Sequence, residues 1–85
     1  MKTNPTSRER LHRLLSQVFG VPQEQITEES SPDTLPSWDS MTHLNLIVAL
    51  EEEFNISLTP EHAMEMLSVK LVRMTLEELG VTDLS

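Results

Sequence analysis

Ser37 to Phe54 reads SWDSMTHLNLIVALEEEF: a polar Trp-Asp-Ser lead-in, an apolar segment and three glutamates. Leu46, Leu50 and Phe54 recur at i, i+4 and i+8, with Leu44 and Ile47 widening the stripe, so the spacing predicts a helix over 40–54. Asp39 or Ser40 is a suitable N-cap by residue type. Ser40 therefore stands where unpaired backbone N–H groups and the positive dipole end of a helix meet. A phosphate ester on a side chain there finds favourable electrostatics without a neighbouring basic residue.

Upstream, residues 21–39 show no clear period and contain Pro22, Pro32 and Pro36. So long a connection in a small domain points to a functional or self-packed loop, which Ile26, Leu35 and Trp38 can pin to the core. Thr6 and Glu9 have capping-box spacing at the start of a first helix. Leu11, Leu14, Leu15, Val18 and Phe19 form its apolar stripe, Arg8, Arg10 and Arg13 lie mostly off it, and Gly20 is its stop. Downstream, Thr59 and Pro60 open a short third helix, for which Met64, Met66 and Leu67 supply apolar contacts. Ser68 caps a last helix with Val69, Val72, Leu76 and Leu79 inward and Gly80 as its end. Met41, Met64, Met66 and Met74 read as core or core-edge fillers.

The fold class that follows is all-α: a small four-helix bundle, three helices long and one short, with a long first loop. Residues 1–5 read as a flexible tail and 6–85 as a single domain, which fits the length of 85 residues. A chain of this size buries about 60–65% of its unfolded surface, so the core is small.

The formal net charge of −8 argues against nucleic acid, whose phosphates demand basic patches. It also disfavours anionic membrane surfaces and favours partners with basic surfaces. The sequence has no cysteine, so it offers no disulfide, thiolate nucleophile or thiolate metal site. The beginning MKTNPTSRER lacks the apolar core of a signal peptide, and the longest apolar run, Leu46 to Leu50, is too short for a membrane span. A cytoplasmic protein without membrane insertion is the expectation.

Three chemistries compete at Ser40. It can be a helix cap, as many serines are. It can be a nucleophile with His43 one turn on as base, but there is no nucleophile-elbow motif and no evident oxyanion hole. It can also be an attachment point. His12, His43 and His62 show no zinc-ligand motif and read as surface histidines. Glu51, Glu52 and Glu53 oppose the helix dipole at a C-terminus, which costs a few tenths of a kcal/mol or more each and suggests a use in docking a basic partner.

Taken together, these residues resemble the acyl carrier protein family. Asp39-Ser40-Met41 matches its Asp-Ser-Leu motif, LNLIVALEEEFNISL is similar to its second helix, and Pro60-Glu61 and Ser68-Val69 fall where the family places them. The resemblance spans roughly residues 6–80. It implies that Ser40 carries 4′-phosphopantetheine, transferred from coenzyme A by a phosphopantetheinyl transferase, and that Asp39 matters for recognition by that synthase. It implies that the arm's thiol holds an acyl group as a thioester, and that Met41, Val48, Glu51 and Glu52 contact acyl-loading and acyl-accepting enzymes. The protein itself would then be no enzyme but a freestanding, monomeric carrier.

There are departures from the pattern. Met41 replaces the usual leucine, a volume-conserving exchange. Thr42 and Asn45 stand where fatty-acid carriers often have acids, and the glycines common before the serine are absent. The variant looks more like carriers of specialised pathways: polyketide-like, hydroxy-acid or cell-surface biosynthesis. An aminoacyl or peptidyl carrier, and an unmodified helical interaction module, are the alternative readings.

Overall fold

The first helix, α1 (Ser7–Phe19), starts where the sequence provides a reciprocal cap. The Thr6 hydroxyl accepts the Glu9 N–H at 3.1 Å, and the Glu9 carboxylate accepts the Thr6 N–H at 3.1 Å. Glu9 is held below the usual carboxylate range by those bonds to Thr6. The helix ends at Gly20, whose φ of 68° is the left-handed conformation that glycine adopts without a side-chain penalty. The computed structural model describes residues 4–84, so residues 1–3 of the expected tail lie outside the described residues. Asn4 and Pro5 precede the cap without regular structure.

After a single 3₁₀ turn (Gln23–Gln25) come α2 (Ser40–Phe54), α3 (Pro60–Glu65) and α4 (Val69–Glu78). The described residues contain no strand, and the architecture is the small helical bundle that the periodicities predict. One core joins Leu11, Leu14, Leu15 and Phe19 of α1, Leu46 and Leu50 of α2, Met66, and Val69, Val72 and Leu76 of α4. At the far end of the bundle Arg10 of α1 grips α2: its Nε donates to the Glu53 carboxylate at 2.6 Å, and its guanidinium sits 4.8 Å from the centre of the Phe54 ring.

The long first loop is structured by burial. Ile26, Leu35 and Trp38 are all buried, and the Trp38 ring packs on Phe19 with centroids 4.6 Å apart. The loop also closes the start of α4. The Val69 N–H donates to the Ser30 carbonyl (2.9 Å), the Lys70 N–H to the Glu28 carbonyl (3.0 Å), and the Leu71 N–H to the Ser68 hydroxyl (3.1 Å). Three N–H groups that a helix start leaves free are thus satisfied. Arg73 adds ion pairs to Glu28 in the loop and to Glu77 one turn along, and the Arg73 hydrogen bond holds Glu28 low in pKa.

Several apolar side chains expected inside are outside. Leu44 lies two positions, about 200°, from Leu46, so it faces away from the core that Leu46 and Leu50 enter. Of the methionines expected as fillers, Met66 is fully buried, whereas Met41, Met64 and Met74 are exposed. Leu67 is exposed as well. The reason is geometric: α3 has fewer than two turns, and Met66 at its C-cap occupies the core position that this segment can reach.

Candidate functional site

The start of α2 assigns the cap unambiguously. Asp39 is extended (φ −103°, ψ −174°), and its Oδ1 accepts the Thr42 N–H at 2.9 Å. Asp39 is therefore the N-cap and Ser40 the first helical residue. The backbone N–H of Thr42 stabilises the charged carboxylate and holds the Asp39 pKa below its ordinary value. Both residues are exposed. Ser40 is thus spared the capping duty that was its plainest alternative, and its hydroxyl faces solvent at the positive end of the helix. Among the described residues no loop carbonyl reaches the N–H of Ser40 or Met41, in contrast to the start of α4.

His43, expected as a surface histidine, is half-buried and fully engaged. The Trp38 indole N–H donates to His43 Nδ1 at 3.0 Å, while His43 Nε2 lies 2.8 Å from the Ala63 carbonyl oxygen. An indole nitrogen only donates and a carbonyl only accepts, so Nδ1 carries the lone pair and Nε2 the proton. The ring is a neutral strut linking the first loop, α2 and α3. Its one basic nitrogen is taken by Trp38, so it is not placed to remove a proton from Ser40, and the nucleophile–base pair considered from the sequence is not assembled. His62 also departs from a bare surface position: it serves the α3 cap, its Nδ1 accepting the Thr59 N–H at 3.2 Å. His12 is half-buried, and burial pushes its pKa down.

A groove of about 520 Å³ opens beside Ser40, lined by Pro32, Trp38, Asp39, His43, Leu44 and Leu67. Its walls are largely apolar, and Ser40 is itself one of the residues that line it.

The glutamate run divides by task. Glu51 accepts the Leu58 N–H at 2.8 Å and so fastens the α2–α3 connection. Glu53 pairs with Arg10. Glu52 is exposed. Of the other residues expected to meet partners, Met41 and Val48 are exposed on α2. Leu44, which the periodicity assigned to the core, shares their exposure; its position two residues out of phase with Leu46 was the available signal.

The sequence from residue 9 to 72 matches the family described as "Phosphopantetheine attachment site". The chain belongs to that family. It is also 35% identical, over 63 residues, to the acyl carrier protein of Buchnera aphidicola subsp. Baizongia pistaciae (strain Bp), an alignment covering 74% of this chain and 81% of that protein. The cofactor is therefore covalently attached 4′-phosphopantetheine, and the protein is a carrier and not an enzyme. Such carriers meet a phosphopantetheinyl transferase and acyl-handling enzymes. The site fits the group: an exposed hydroxyl, relieved of capping, stands at a helix start with an apolar groove alongside. Among the described residues no helix is long and apolar enough to cross a membrane.

Proposed function

We propose that Ser40 is the attachment point and that the protein carries an acyl group between enzymes of a specialised biosynthetic pathway. The observation that supports this most directly is that Asp39 caps α2, leaving the Ser40 hydroxyl exposed and uncommitted. In the modification, the Ser40 oxygen bonds to the phosphorus of the phosphopantetheinyl group of coenzyme A. The pyrophosphate bond breaks, the adenosine bisphosphate leaves and the hydroxyl proton is released. The bound arm then supplies the thiol that the sequence lacks and holds cargo as a thioester.

This chain's own residues present that site. Asp39 fixes the first turn of α2 and offers a negative charge to the transferase. The N–H groups of Ser40 and Met41, which no loop carbonyl among the described residues reaches, and the positive end of the helix dipole favour the phosphate that stays on Ser40. His43 and Trp38 hold the loop against α2 and α3, so Ser40 is displayed from a braced position. Met41, Val48 and Glu52 lie on the accessible side of α2 and form its docking face, with Glu51 contributing the carboxylate oxygen not engaged by Leu58. The acidic character of residues 39–65 suits partners with basic surfaces. A monomeric, cytoplasmic carrier, with residues 6–85 acting as one unit, completes the reading. Thr42 and Asn45 in place of acids support a pathway other than bulk fatty-acid synthesis.

Intact mass after incubation with coenzyme A and a broad-specificity phosphopantetheinyl transferase tests the assignment. Wild type should gain one phosphopantetheine and Ser40→Ala none. Modification of the alanine variant would show that the attachment point is elsewhere.

A further inference from the structure

Of the residues that line the groove with Ser40, His43 alone changes its charge between about pH 5 and 8. Its neutral form is built into the fold. Nδ1 accepts the Trp38 indole N–H at 3.0 Å, and Nε2 donates to the Ala63 carbonyl at 2.8 Å. The two rings lie nearly parallel, 22° apart in plane with centroids 6.1 Å apart, and Trp38 packs in turn on Phe19 of α1. One imidazole thus ties the first loop to α2 and α3. A proton on Nδ1 would make that nitrogen a donor facing another donor. The bond to Trp38 and the protonated ring therefore exclude each other.

The surroundings favour that proton once Ser40 carries its group. Between Arg13 and Lys70 the sequence has no Lys or Arg, so the only side chains there that can become cationic are His43 and His62. His62 is held in the α3 cap by Thr59. The other ionisable groups on the segments against His43 are carboxylates: Asp33 in the loop, Asp39 before α2, and Glu61 and Glu65 on α3. Asp39 shares the groove with His43, and the Thr42 N–H holds its pKa below the ordinary value, so it is charged throughout this range. Ser40 precedes His43 by three residues of one helix, a spacing that puts Cβ atoms about 5–6 Å apart. A phosphodiester on Ser40 adds a permanent negative charge there, and His43 is the group in this part of the chain placed to answer it.

We propose that His43 is a two-position latch: neutral, it fastens Trp38 and the first loop to α2 and α3; protonated, it releases Trp38 and becomes the counter-ion of the phosphodiester on Ser40. The proposal rests on Ser40 being the modified residue. The proton comes from solvent and binds Nδ1. The Trp38 N–H then loses its acceptor, and the new Nδ1–H turns to anionic oxygens in the groove. The contact with Trp38 needs the neutral ring, so it is present above the pH at which the ring titrates and is lost as pH falls through it. A neighbouring anion favours the charged ring, so attachment moves that change to higher pH. The modified carrier therefore loosens its first loop in milder acid than the unmodified one.

Trp38 is the single tryptophan and the chain has no tyrosine, so the emission of the full chain reports this contact. Emission and the indole N–H resonance are followed from about pH 8 to about pH 5, where an imidazole titrates. The samples are unmodified wild type, wild type shown by intact mass to carry one phosphopantetheine, and His43→Gln. Wild type should show one acid transition that His43→Gln lacks. Its midpoint should lie about 0.5–1 pH unit higher in the modified protein, a three- to tenfold gain in proton affinity. Salt raised from about 0.05 to about 0.5 M should shrink that difference. Far-UV ellipticity should stay flat over the same range; a coincident loss of helix would mean acid unfolding and overturn the proposal.

The same transition in His43→Gln would assign it to another group, such as His12, and overturn the proposal. A midpoint unchanged or lowered in protein shown by mass to be modified would overturn it too, while leaving Ser40 standing. If wild type gains no phosphopantetheine at all, the Ser40 reading fails, and the proposal with it. Should His43→Gln not fold, Trp38→Phe keeps the question open to test, because it removes the indole N–H and leaves an aromatic ring. The His43 ring C–H resonances should then titrate at higher pH than in wild type, since the neutral ring has lost a partner. An unmoved His43 titration in that variant would show that the contact with Trp38 is indifferent to the charge of the ring and would overturn the latch.

Discussion

Two helices of this protein begin with a serine, and the two serines do opposite things. Ser68 precedes α4 in extended conformation and spends its hydroxyl on the Leu71 N–H, while loop carbonyls of Ser30 and Glu28 cover the two N–H groups before it. That helix start is closed. Ser40 sits one position further in, as the first residue of α2, because Asp39 has taken the cap. That helix start is open. An offset of one residue separates a serine that holds the fold from one that is displayed by it. Serine at a helix start thus says little until the identity of the cap is known.

The sharpest way to break the comparison is to exchange the losses. Ser40→Ala should abolish phosphopantetheine attachment, read by intact mass, while leaving denaturant stability unchanged within about 0.5 kcal/mol, as for a surface site without a cap role. A stability loss as large as that of a lost cap would mean that Ser40 shares the duty of Asp39.

His43→Ala should be the most destabilising of these changes, by about 1–3 kcal/mol in urea unfolding. It orphans the Trp38 indole N–H and the Ala63 carbonyl together. The variant should still accept phosphopantetheine at Ser40, since the ring acts as a strut and not as a base. Complete loss of attachment in a folded His43→Ala protein would contradict that assignment.

Ser68→Ala should cost about 1 kcal/mol, the usual value of a lost N-cap, and leave attachment untouched. Asp39→Asn gives the smallest effect at neutral pH, since asparagine caps about as well as aspartate. The difference appears in acid. The folded pKa of Asp39 lies below the ordinary 3.8, so its stabilisation is complete above 3.8 and lost as pH falls through the lowered folded value. Asp39→Asn has no such charge to lose, and its stability should fall less steeply below pH 3.8 than that of wild type. Parallel acid profiles would show that the Asp39 charge contributes nothing to the fold.

Much of this architecture is local chemistry and was legible in residue order. The Thr6–Glu9 capping box, Gly20 in the left-handed region, Thr59 before Pro60 and Ser68 before Val69 each satisfy backbone groups within a few residues, so spacing alone specifies them. The same holds for the 3.6-residue stripes that place Leu11, Leu15, Leu46, Leu50, Val72 and Leu76 in the core. The candidate site was legible for the same reason: Asp39-Ser40 at the head of an apolar helix is a local pattern.

Other features depend on which element lies against which. The residue pattern offered both Asp39 and Ser40 as caps, and three-dimensional geometry chose Asp39. It counted Leu44, Met64 and Leu67 as core because they are apolar, but each helix of so small a bundle turns one face to the core, and these residues lie outside those faces and are exposed. It read His43 as a surface group, because its partners, Trp38 in the loop and Ala63 on α3, come together only through packing. Capping and periodicity act within a turn or two and are written in the chain. Exposure, tautomer and the division of labour among Glu51, Glu52 and Glu53 are set by contacts between segments distant in sequence, and these arise when the core closes.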